Sequence, residues 1–381
     1  MDCARDSLFL KKGFISLIIF LILANLIIFL CDDAYAENRQ AWIKTKAGGF
    51  VKDGKPFKFI GASAVYMVFY DDWDLDVENA IKTAKENNIS VLRLYIDLGW
   101  GKCEDLDKIF DIASKNGVYI ILAFTDCCCS CDSPDLKKYF EVHAPFCNIA
   151  NPRSKNAFKK LIRQVIERKN TINGRMYRDD PTIMAWEIAN ELEYWLFSKA
   201  DIRAWIEEIA GYIRSLDKNH LVTIGLSANA PVDIKDYLNS AFNAKSVDFI
   251  SFHLYPPADT SNIENKVFSK ENINKISIIA KELLKIGKPA VMEEFGLSNS
   301  TDLNCRFRSG KETANFYNQV FKESMDAAFS AGCSGAMFWG WGVSEEKSVP
   351  MWWNRESHSV EDEIFCSFIK QYRIPDKNAR D

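Results

Sequence analysis

Short apolar runs alternate with longer amphipathic stretches along most of the chain. We predict eight strands from the short runs, because most of them are rich in Val, Ile and Phe. The predicted strands are Phe57–Ser63, Ser90–Ile96, Val118–Phe124, Thr182–Ile188, Leu221–Gly225, Val247–His253, Ala290–Phe295 and Gly335–Trp339. Apolar residues on both faces are typical of parallel strands that are covered on each side.

The stretches between these strands have the spacing of helices. In the first of them, Val77, Ala80, Ile81 and Ala84 repeat as one apolar face. Several stretches end at a glycine, which is a common signal for the end of a helix. The predicted helices are Asp76–Asn88, Asp105–Asn116, Ser154–Asn170, Lys199–Ser215, Ile234–Ala244, Asn272–Ile286, Lys311–Ala331 and Val360–Tyr372.

Alternation of strands and helices predicts an α/β fold. Eight strand–helix pairs in sequence favour a single-domain (β/α)8 TIM barrel with inserted loops. An open, doubly wound sheet is the alternative, but its nucleotide-binding G-x-G-x-x-G after the first strand is missing from the sequence. Trp42–Gly54 precedes the first strand and is predicted to form an N-terminal hairpin that closes the bottom of the barrel.

The first 36 residues are predicted to lie outside this domain, which would comprise residues 37–381. Three basic residues precede an apolar run over Phe14–Leu30, and Ala34-Tyr35-Ala36 follows as an A-x-A cleavage pattern. Together they predict a secretory signal peptide that is cut after Ala36. The apolar run is also close to the length that spans a bilayer, so an uncleaved N-terminal membrane anchor is the alternative. Both interpretations place the domain outside the cytoplasm.

Charge and cysteine content limit the partners of the domain. The net charge is −4, and residues 1–36 hold three positive and four negative charges, which leaves −3. Because no basic stripe is present, we expect no nucleic-acid partner. Eleven cysteines minus Cys3 and Cys31 leave nine. Secretion favours a disulfide-bonded loop for the cluster at Cys127–Cys131, and a metal or thiol role is the alternative. The odd number means that at least one cysteine is unpaired or pairs between molecules.

Carboxylates lie where two of the predicted strands end. Catalytic residues of (β/α)8 barrels occupy the C-terminal ends of the strands. Glu191 follows the fourth predicted strand, and Glu293 and Glu294 end the seventh. Hydrolysis of a glycosidic bond requires two carboxyl groups, one that protonates the departing oxygen and one that attacks the sugar or activates water. The pair Glu191 and Glu294, facing each other across the barrel mouth, therefore predicts a glycosidase site.

Other residues at the strand ends support this interpretation. Arg93 and Tyr255 are predicted to hold Glu294 ionised by hydrogen bonding, and His253 to orient Tyr255, the acid or a sugar hydroxyl. We interpret Glu187, inside the fourth strand, as a structural group that needs buried partners. Strand alternation predicts that Glu293 points away from Glu294. Each motif alone is more typical of packing, and only their joint order favours catalysis.

The chain resembles family 5 glycoside hydrolases of clan A, and among them the endo-β-1,4-mannanases, from about residue 47 to residue 372. The longest match is RKNTINGRMYRDDPTIMAWEIANE at residues 168–191. Shorter matches are HLYP at residues 253–256, EFG at residues 294–296 and the opening strand at residues 57–66. The resemblance implies a (β/α)8 barrel that cleaves with retention and needs no metal or other cofactor.

The resemblance also implies individual roles. Glu191 would be the acid/base and Glu294 the nucleophile, which Arg93 and Tyr255 orient. Asn190 would bind the sugar 2-hydroxyl. The remaining two residues of the site would be His253, which lines it, and Trp339, which forms the floor under the sugar at the −1 subsite.

Four departures from the family pattern affect substrate-binding loops. Leu192 replaces the usual Pro, Ser63 replaces the usual Asn, and the Trp that is common after the HLYP motif is missing. The fourth is the loop at Cys127–Cys131, which the family pattern does not contain. The leading hypothesis is double-displacement cleavage of internal β-1,4-mannosidic bonds in a mannan-type polysaccharide by a monomer. The same chemistry on another β-glycan, such as β-1,4-glucan, is one alternative. A non-catalytic carbohydrate-binding barrel is another.

Overall fold

The computed structural model describes the chain in eleven segments: residues 40–64, 67–68, 76–96, 103–127, 149–192, 198–229, 234–255, 270–296, 310–344, 347–349 and 360–375. The chain divides into two compact units, residues 1–40 and residues 41–381. The predicted signal peptide or anchor lies outside the described residues. None of the helices within the described segments is both long enough and apolar enough to cross a membrane.

Eight parallel strands close into a barrel. The described strands, in chain order, are β1 (Ile43–Lys46), β2 (Gly49–Lys52), β3 (Lys55–Phe57), β4 (Phe59–Ser63), β5 (Ile89–Tyr95), β6 (Tyr119–Ala123), β7 (Ile183–Asn190), β8 (Leu221–Ser227), β9 (Ile250–His253), β10 (Ala290–Phe295), β11 (Gly335–Trp339), β12 (Gly342–Ser344) and β13 (Lys347–Val349). Each strand from β4 to β11 pairs with the next, and β11 pairs back onto β4. This closure confirms the predicted (β/α)8 barrel and excludes the open sheet.

The described helices alternate with these strands. They are α1 (Val77–Glu86), α2 (Cys103–Asn116), α3 (Pro152–Ile166), α4 (Lys199–Leu216), α5 (Ile234–Phe242), α6 (Lys270–Leu284), α7 (Gly310–Ala331) and α8 (Val360–Gln371). Each predicted helix is present, with ends that differ by a few residues. In α1 the four predicted apolar positions are buried, and the Asp76 carboxylate caps the helix by accepting from the Asn79 amide at 3.0 Å.

The N-terminal segment forms three antiparallel strands where two were predicted. The second turn has positive φ angles at Asp53 (50°) and Gly54 (74°), a conformation that suits a tight hairpin. The chain therefore folds back again, and Phe57 pairs with Phe50 in β3. The prediction had assigned Phe57 to the first barrel strand, which begins instead at Phe59. Phe50 packs with residues from the N-terminal ends of barrel strands, including Phe59 and Tyr119, and this sheet closes the bottom of the barrel.

The opposite, C-terminal end of the barrel holds the predicted site residues. The strand β7 runs to Asn190, two residues beyond its predicted end. The amide of Asn190 donates to the carbonyl of Thr125, and the amide of Cys127 donates to the carbonyl of Asn190, so backbone pairing continues past the end of β6. The next residue, Glu191, has a φ of 42°. A left-handed conformation is uncommon outside glycine and costs free energy that the surrounding structure must supply. The amide of Glu191 donates to the carbonyl of Gly225 at 2.9 Å, which helps to hold this turn.

Candidate active site

Glu294 is surrounded by hydrogen-bond donors. Its Oε1 accepts from the Arg93 guanidinium and from the Tyr95 hydroxyl at 2.9 Å, and its Oε2 accepts from the Tyr255 hydroxyl at 2.7 Å. Burial and the charge of Glu294 raise the pKa of Tyr255 well above its ordinary value. Burial likewise raises the pKa of Tyr95 well above its ordinary value. Both phenols are therefore protonated at neutral pH, and they fix the orientation of the Glu294 carboxylate.

Arg93 is the buried cation that connects the strands. Its Nε and Nη2 form a bidentate pair with Glu187, at 2.6 Å for each contact, and its Nη2 also donates to Asn190 Oδ1 at 2.7 Å. Burial alone would lower the pKa of Arg93, but Glu187, Tyr95 and Glu293 raise this pKa well above its ordinary value. The structure thus supplies the buried partner that the sequence required for Glu187. Planar, bidentate contacts of this kind position Arg93 precisely beside Glu294.

Glu191 contacts the imidazole of His253. The His253 Nδ1 lies 2.8 Å from Glu191 Oε1 and 3.5 Å from Glu294 Oε1. The His253 side chain is fully buried, whereas that of Glu191 is 17% exposed. Glu191 is thus more accessible to solvent than Glu294, whose side chain is 5% exposed. Of the three partners that the sequence left open for His253, the structure brings it to the predicted acid.

The distance between the two carboxyl groups distinguishes reaction outcomes. One oxygen of Glu191, one oxygen of Glu294 and a ring nitrogen of His253 all lie within 4.8 Å of one another. Retaining glycosidases hold their carboxyl groups about 5–5.5 Å apart, and inverting enzymes hold them about 6.5–9.5 Å apart. The separation therefore favours retention. These three groups also have the ligand types that metal ions accept, but Arg93 and Tyr95 already donate to Glu294 Oε1.

Asn190 is held between two groups before any sugar binds. Its Oδ1 accepts from Arg93, and its Nδ2 donates to Asp126 Oδ1 at 2.8 Å. These opposite contacts assign the orientation of the amide. Asp126 forms an isolated bridge with Asn190 beyond the end of β6. We therefore expect the side-chain amide of Asn190 to keep this orientation when the substrate binds.

Glu293 occupies a different place from the one that we predicted. The register of β10 against β9 shifts between Met292 and Glu294, so strict alternation fails at this point. Glu293 and Glu294 consequently both contact Arg93 and His253. Glu293 lies 3.5 Å from Arg93 Nε and 3.3 Å from His253 Nε2, and it accepts from the Ser251 hydroxyl. The prediction that the two glutamates point apart is wrong.

A glycine leaves room for this buried layer. A Cβ atom at Gly225 in β8 would lie 2.4 Å from Glu187 Oε1. It would also lie 2.9 Å from Arg93 Nη2 and 2.9 Å from His253 Nε2. Any larger residue must displace at least one of these charged groups, so Gly225 is required by close packing.

Trp339 ends β11 at the edge of the same site. Its ring is only partly buried, and its centroid lies 6.3 Å from that of Tyr95. A Cβ atom at Gly296 would contact both Trp339, at 3.5 Å, and Tyr255, at 3.6 Å. All seven predicted site residues therefore lie at the C-terminal end of the barrel, and the partly buried Trp339 ring lies close to Tyr95, which donates to Glu294.

Sequence reasoning missed Tyr95 and gave no role to Asp126. Tyr95 lies two residues after Arg93, and residues two apart in a strand share a face. That spacing was a usable signal, because Arg93 was already assigned to the site. Asp126 lies three residues beyond β6, just before the cysteine cluster, and its sequence context gave no sign of a contact with Asn190.

We expect Tyr95→Phe to lower kcat/KM about tenfold, since a hydrogen bond to a charged group contributes about 1.5–3 kcal/mol. The change removes the hydroxyl that donates to Glu294 and leaves the ring in place. Tyr119→Phe is the matched control, because that hydroxyl donates to the carbonyl of Ala41 at the bottom of the barrel. The two variants are compared with the wild type by their initial rates of glycan hydrolysis. Equal effects of the two changes would argue against a role for Tyr95 at the site.

Comparisons with known proteins agree with this geometry. A family model described as glycoside hydrolase family 5, β-mannosidase-like, matches residues 114–363, more than half of the chain. Mannan endo-1,4-beta-mannosidase 4 of Solanum lycopersicum is 25% identical over 363 residues, which cover 84% of this chain and 89% of that protein. Mannan endo-1,4-beta-mannosidase 1 of Arabidopsis thaliana is 30% identical over 229 residues, which cover 53% of this chain and 54% of that protein.

Solved structures share the fold. The family 5 mannosidase of Rhizomucor miehei superposes with a TM-score of 0.66 at 20% identity, covering 87% of this chain and 97% of that one. The endo-1,4-beta-D-mannanase of Thermotoga petrophila RKU-1 gives a TM-score of 0.61 at 23% identity, covering 83% and 100%. With the barrel, the strand-end carboxylates and the family match together, the chain belongs to the β-mannosidase-like glycoside hydrolases of family 5.

Proposed function

We propose that this protein is a retaining endo-β-1,4-mannanase, with Glu191 as acid/base and Glu294 as nucleophile. The observation that carries the proposal is the short separation of these two carboxyl groups at the mouth of a family 5 barrel. The substrate class is proposed from similarity to proteins named mannan endo-1,4-beta-mannosidases. The polysaccharide is the one partner that the proposal requires.

In the first step, a Glu294 oxygen attacks the anomeric carbon while Glu191 gives its proton to the glycosidic oxygen. The bond to the leaving sugar breaks, and a covalent glycosyl ester with Glu294 forms. Arg93, Tyr95 and Tyr255 hold the Glu294 carboxylate in place for the attack. Preorganised donors lower the barrier because they need no rearrangement during the reaction.

In the second step, water attacks the anomeric carbon of the ester and Glu191 takes its proton. The ester bond to Glu294 breaks, and both carboxyl groups return to their starting states. Two inversions leave the configuration unchanged. Asn190 is proposed to bind the sugar 2-hydroxyl, and Trp339 to form the floor under the sugar at the −1 subsite, where an aromatic face suits a sugar ring.

We expect the purified protein to release reducing sugar from mannan and glucomannan, and little from carboxymethyl-cellulose. Product sizing should show oligosaccharides of several lengths early in the reaction, because internal bonds are cleaved. NMR should detect the β-anomer first. Activity on cellulose without activity on either mannan substrate would favour a β-1,4-glucanase. If wild type and Glu294→Ala were equally inert on every glycan, a carbohydrate-binding barrel would be the better account.

We also propose that residues 37–381 work outside the cytoplasm as a monomer, after cleavage at Ala36 or tethered by an uncleaved anchor. The pattern of residues 1–36 supports this localisation.

We further propose that the cluster at Cys127–Cys131 forms disulfides. The oxidising environment outside the cytoplasm supports this assignment. Cys127 is buried close to the end of β6, and the rest of the cluster lies outside the described residues. Thiol counting on the purified protein tests this assignment.

A further inference from the structure

The layer beneath the two proposed catalytic carboxylates contains a carboxylate that the mechanism does not use. Glu293 is fully buried, and its Oε2 accepts from Ser251 and lies 3.3 Å from His253 Nε2. Its Oε1 has no hydrogen-bond partner among the described residues. Buried charges are costly unless they are paired. The charge of Glu293 is therefore balanced chiefly by His253 and Arg93.

His253 bridges Glu293 and Glu191 through its two ring nitrogens. The Nδ1 lies 2.8 Å from Glu191 Oε1, on the substrate side, and the Nε2 faces Glu293. Neutral imidazole donates from only one nitrogen, whereas the imidazolium donates from both. An acceptor oxygen at each nitrogen, with Glu293 ionised at Nε2, therefore favours the cation.

We propose that Glu293 is a positioning residue that keeps His253 protonated and thereby sets the protonation of Glu191. The inference rests on the proposed function, because it assigns the acid/base role to Glu191. When Glu191 gives its proton to the glycosidic oxygen, its new carboxylate accepts from the cationic His253 Nδ1–H. When water later returns a proton to Glu191, His253 is unchanged. His253 thus holds the side chain of Glu191 in both states without itself losing a proton.

The electrostatic surroundings of His253 agree with this assignment. Charged or titratable groups act on it from the neighbouring strands: Arg93 from β5, Glu187 and Glu191 from β7 and its end, and Glu293 and Glu294 from β10. Burial would lower the pKa of His253, but Glu294, Glu191 and Glu293 together raise it to about 10. Burial would raise the pKa of Glu293, but Arg93 and His253 lower it.

The first test is the titration of His253 by NMR in the full chain with ¹⁵N-labelled histidine. The sequence contains four histidines, and the His253 signal is assigned from its loss in His253→Gln. We expect wild-type His253 to be an imidazolium at pH 8, with both nitrogens protonated. A neutral ring at pH 8 in the wild type would overturn the proposal, whatever the variants do.

In Glu293→Gln we expect the midpoint of the His253 titration to fall by about one to three pH units, since an opposite charge within contact distance shifts a pKa by that amount. Glu187→Gln is the comparator, because Glu187 contacts Arg93 rather than the imidazole. Its effect should be less than half as large. Equal shifts in the two variants would mean that the general field, not the Nε2 contact, controls His253, and would reject the assignment.

The second test separates positioning from mere structural support. In Glu293→Gln, His253 loses its proton at lower pH, and without the cation beside it the pKa of Glu191 rises. The basic limb of the kcat/KM profile on mannan should therefore move to higher pH. The kcat at pH 8 should fall about tenfold, because Glu191 becomes a weaker acid and its new carboxylate lacks the cationic donor. A dinitrophenyl β-mannobioside needs no protonation of its leaving group, so its glycosylation rate should change less than about twofold.

Equal losses on both substrates would indicate a structural role and overturn the proposal. If the wild type releases nothing from mannan, the proposed function fails, but the NMR titration still decides whether Glu293 controls His253. The two failures are therefore distinguishable.

Discussion

Replacement of Glu294 by alanine is expected to lower kcat on mannan by about 10⁴-fold or more, because the covalent route is lost with the nucleophile. Glu191→Ala should lower kcat by about 10²–10⁴-fold, the usual contribution of a general acid. Glu208→Ala is the matched control, since this carboxylate pairs with Lys155 and Lys159 on the surface. Its kcat should equal that of the wild type.

Azide distinguishes the two roles, because it attacks the anomeric carbon from the face of the sugar where the carboxylate has been removed. Glu294→Ala with azide and a β-mannoside that carries a good leaving group should yield the α-mannosyl azide by a single inversion. Glu191→Ala should still form the glycosyl ester, and azide should then give the β-mannosyl azide. NMR of the products identifies the anomer. If the two variants gave each other's products, the assignment of acid/base and nucleophile would be reversed.

The barrel could be predicted because its signals are local. Each strand from β4 to β11 is a short apolar run, and each helix that follows has its own apolar face and end signals. Ala290–Phe295 and Gly335–Trp339 match the structure to the residue. The third strand of the bottom sheet was missed because Phe57 fits either strand equally well. Its assignment depends on the turn at Asp53 and Gly54, which lies between the two pairing partners.

Glu191 and Glu294 could be predicted, because the C-terminal ends of all strands lie at the same end of a barrel. The buried layer beneath them could not be predicted. A register shift in β10 turns Glu293 inward, and nothing in the residues Met292-Glu293-Glu294 distinguishes a bulge from regular pleating. The need for glycine at position 225 follows from three side chains on other strands, so it became visible only with the assembled barrel. The hydrophobic periodicity of the sequence does not reveal contacts between strands that are far apart along the chain.

Arg93→Met is expected to lower the free energy of unfolding by about 3–5 kcal/mol, the range measured when one partner of a buried ion pair is removed. Methionine fills much of the same space, so the loss would be mainly electrostatic. It leaves Glu187, Glu293 and Glu294 buried without the cation that contacts all three. Urea denaturation at pH 7 measures the change. Arg163→Met, which breaks an exposed pair with Glu167, should change stability by less than about 1 kcal/mol.

The deficit of Arg93→Met should depend on pH, and its direction follows from Glu187. Burial raises the pKa of Glu187 from its ordinary 4.5 to about 7, even though Arg93 lowers it. A carboxyl group with a raised pKa contributes stability that is fully present below pH 4.5 and is lost as the pH rises through about 7. Without Arg93 the pKa of Glu187 should rise further, so the protein would lose stability with pH over a wider range. We therefore expect a smaller deficit at pH 5 than at pH 8. A deficit that stayed constant from pH 5 to pH 8 would show that lost packing, not uncompensated charge, is the main effect of removing Arg93.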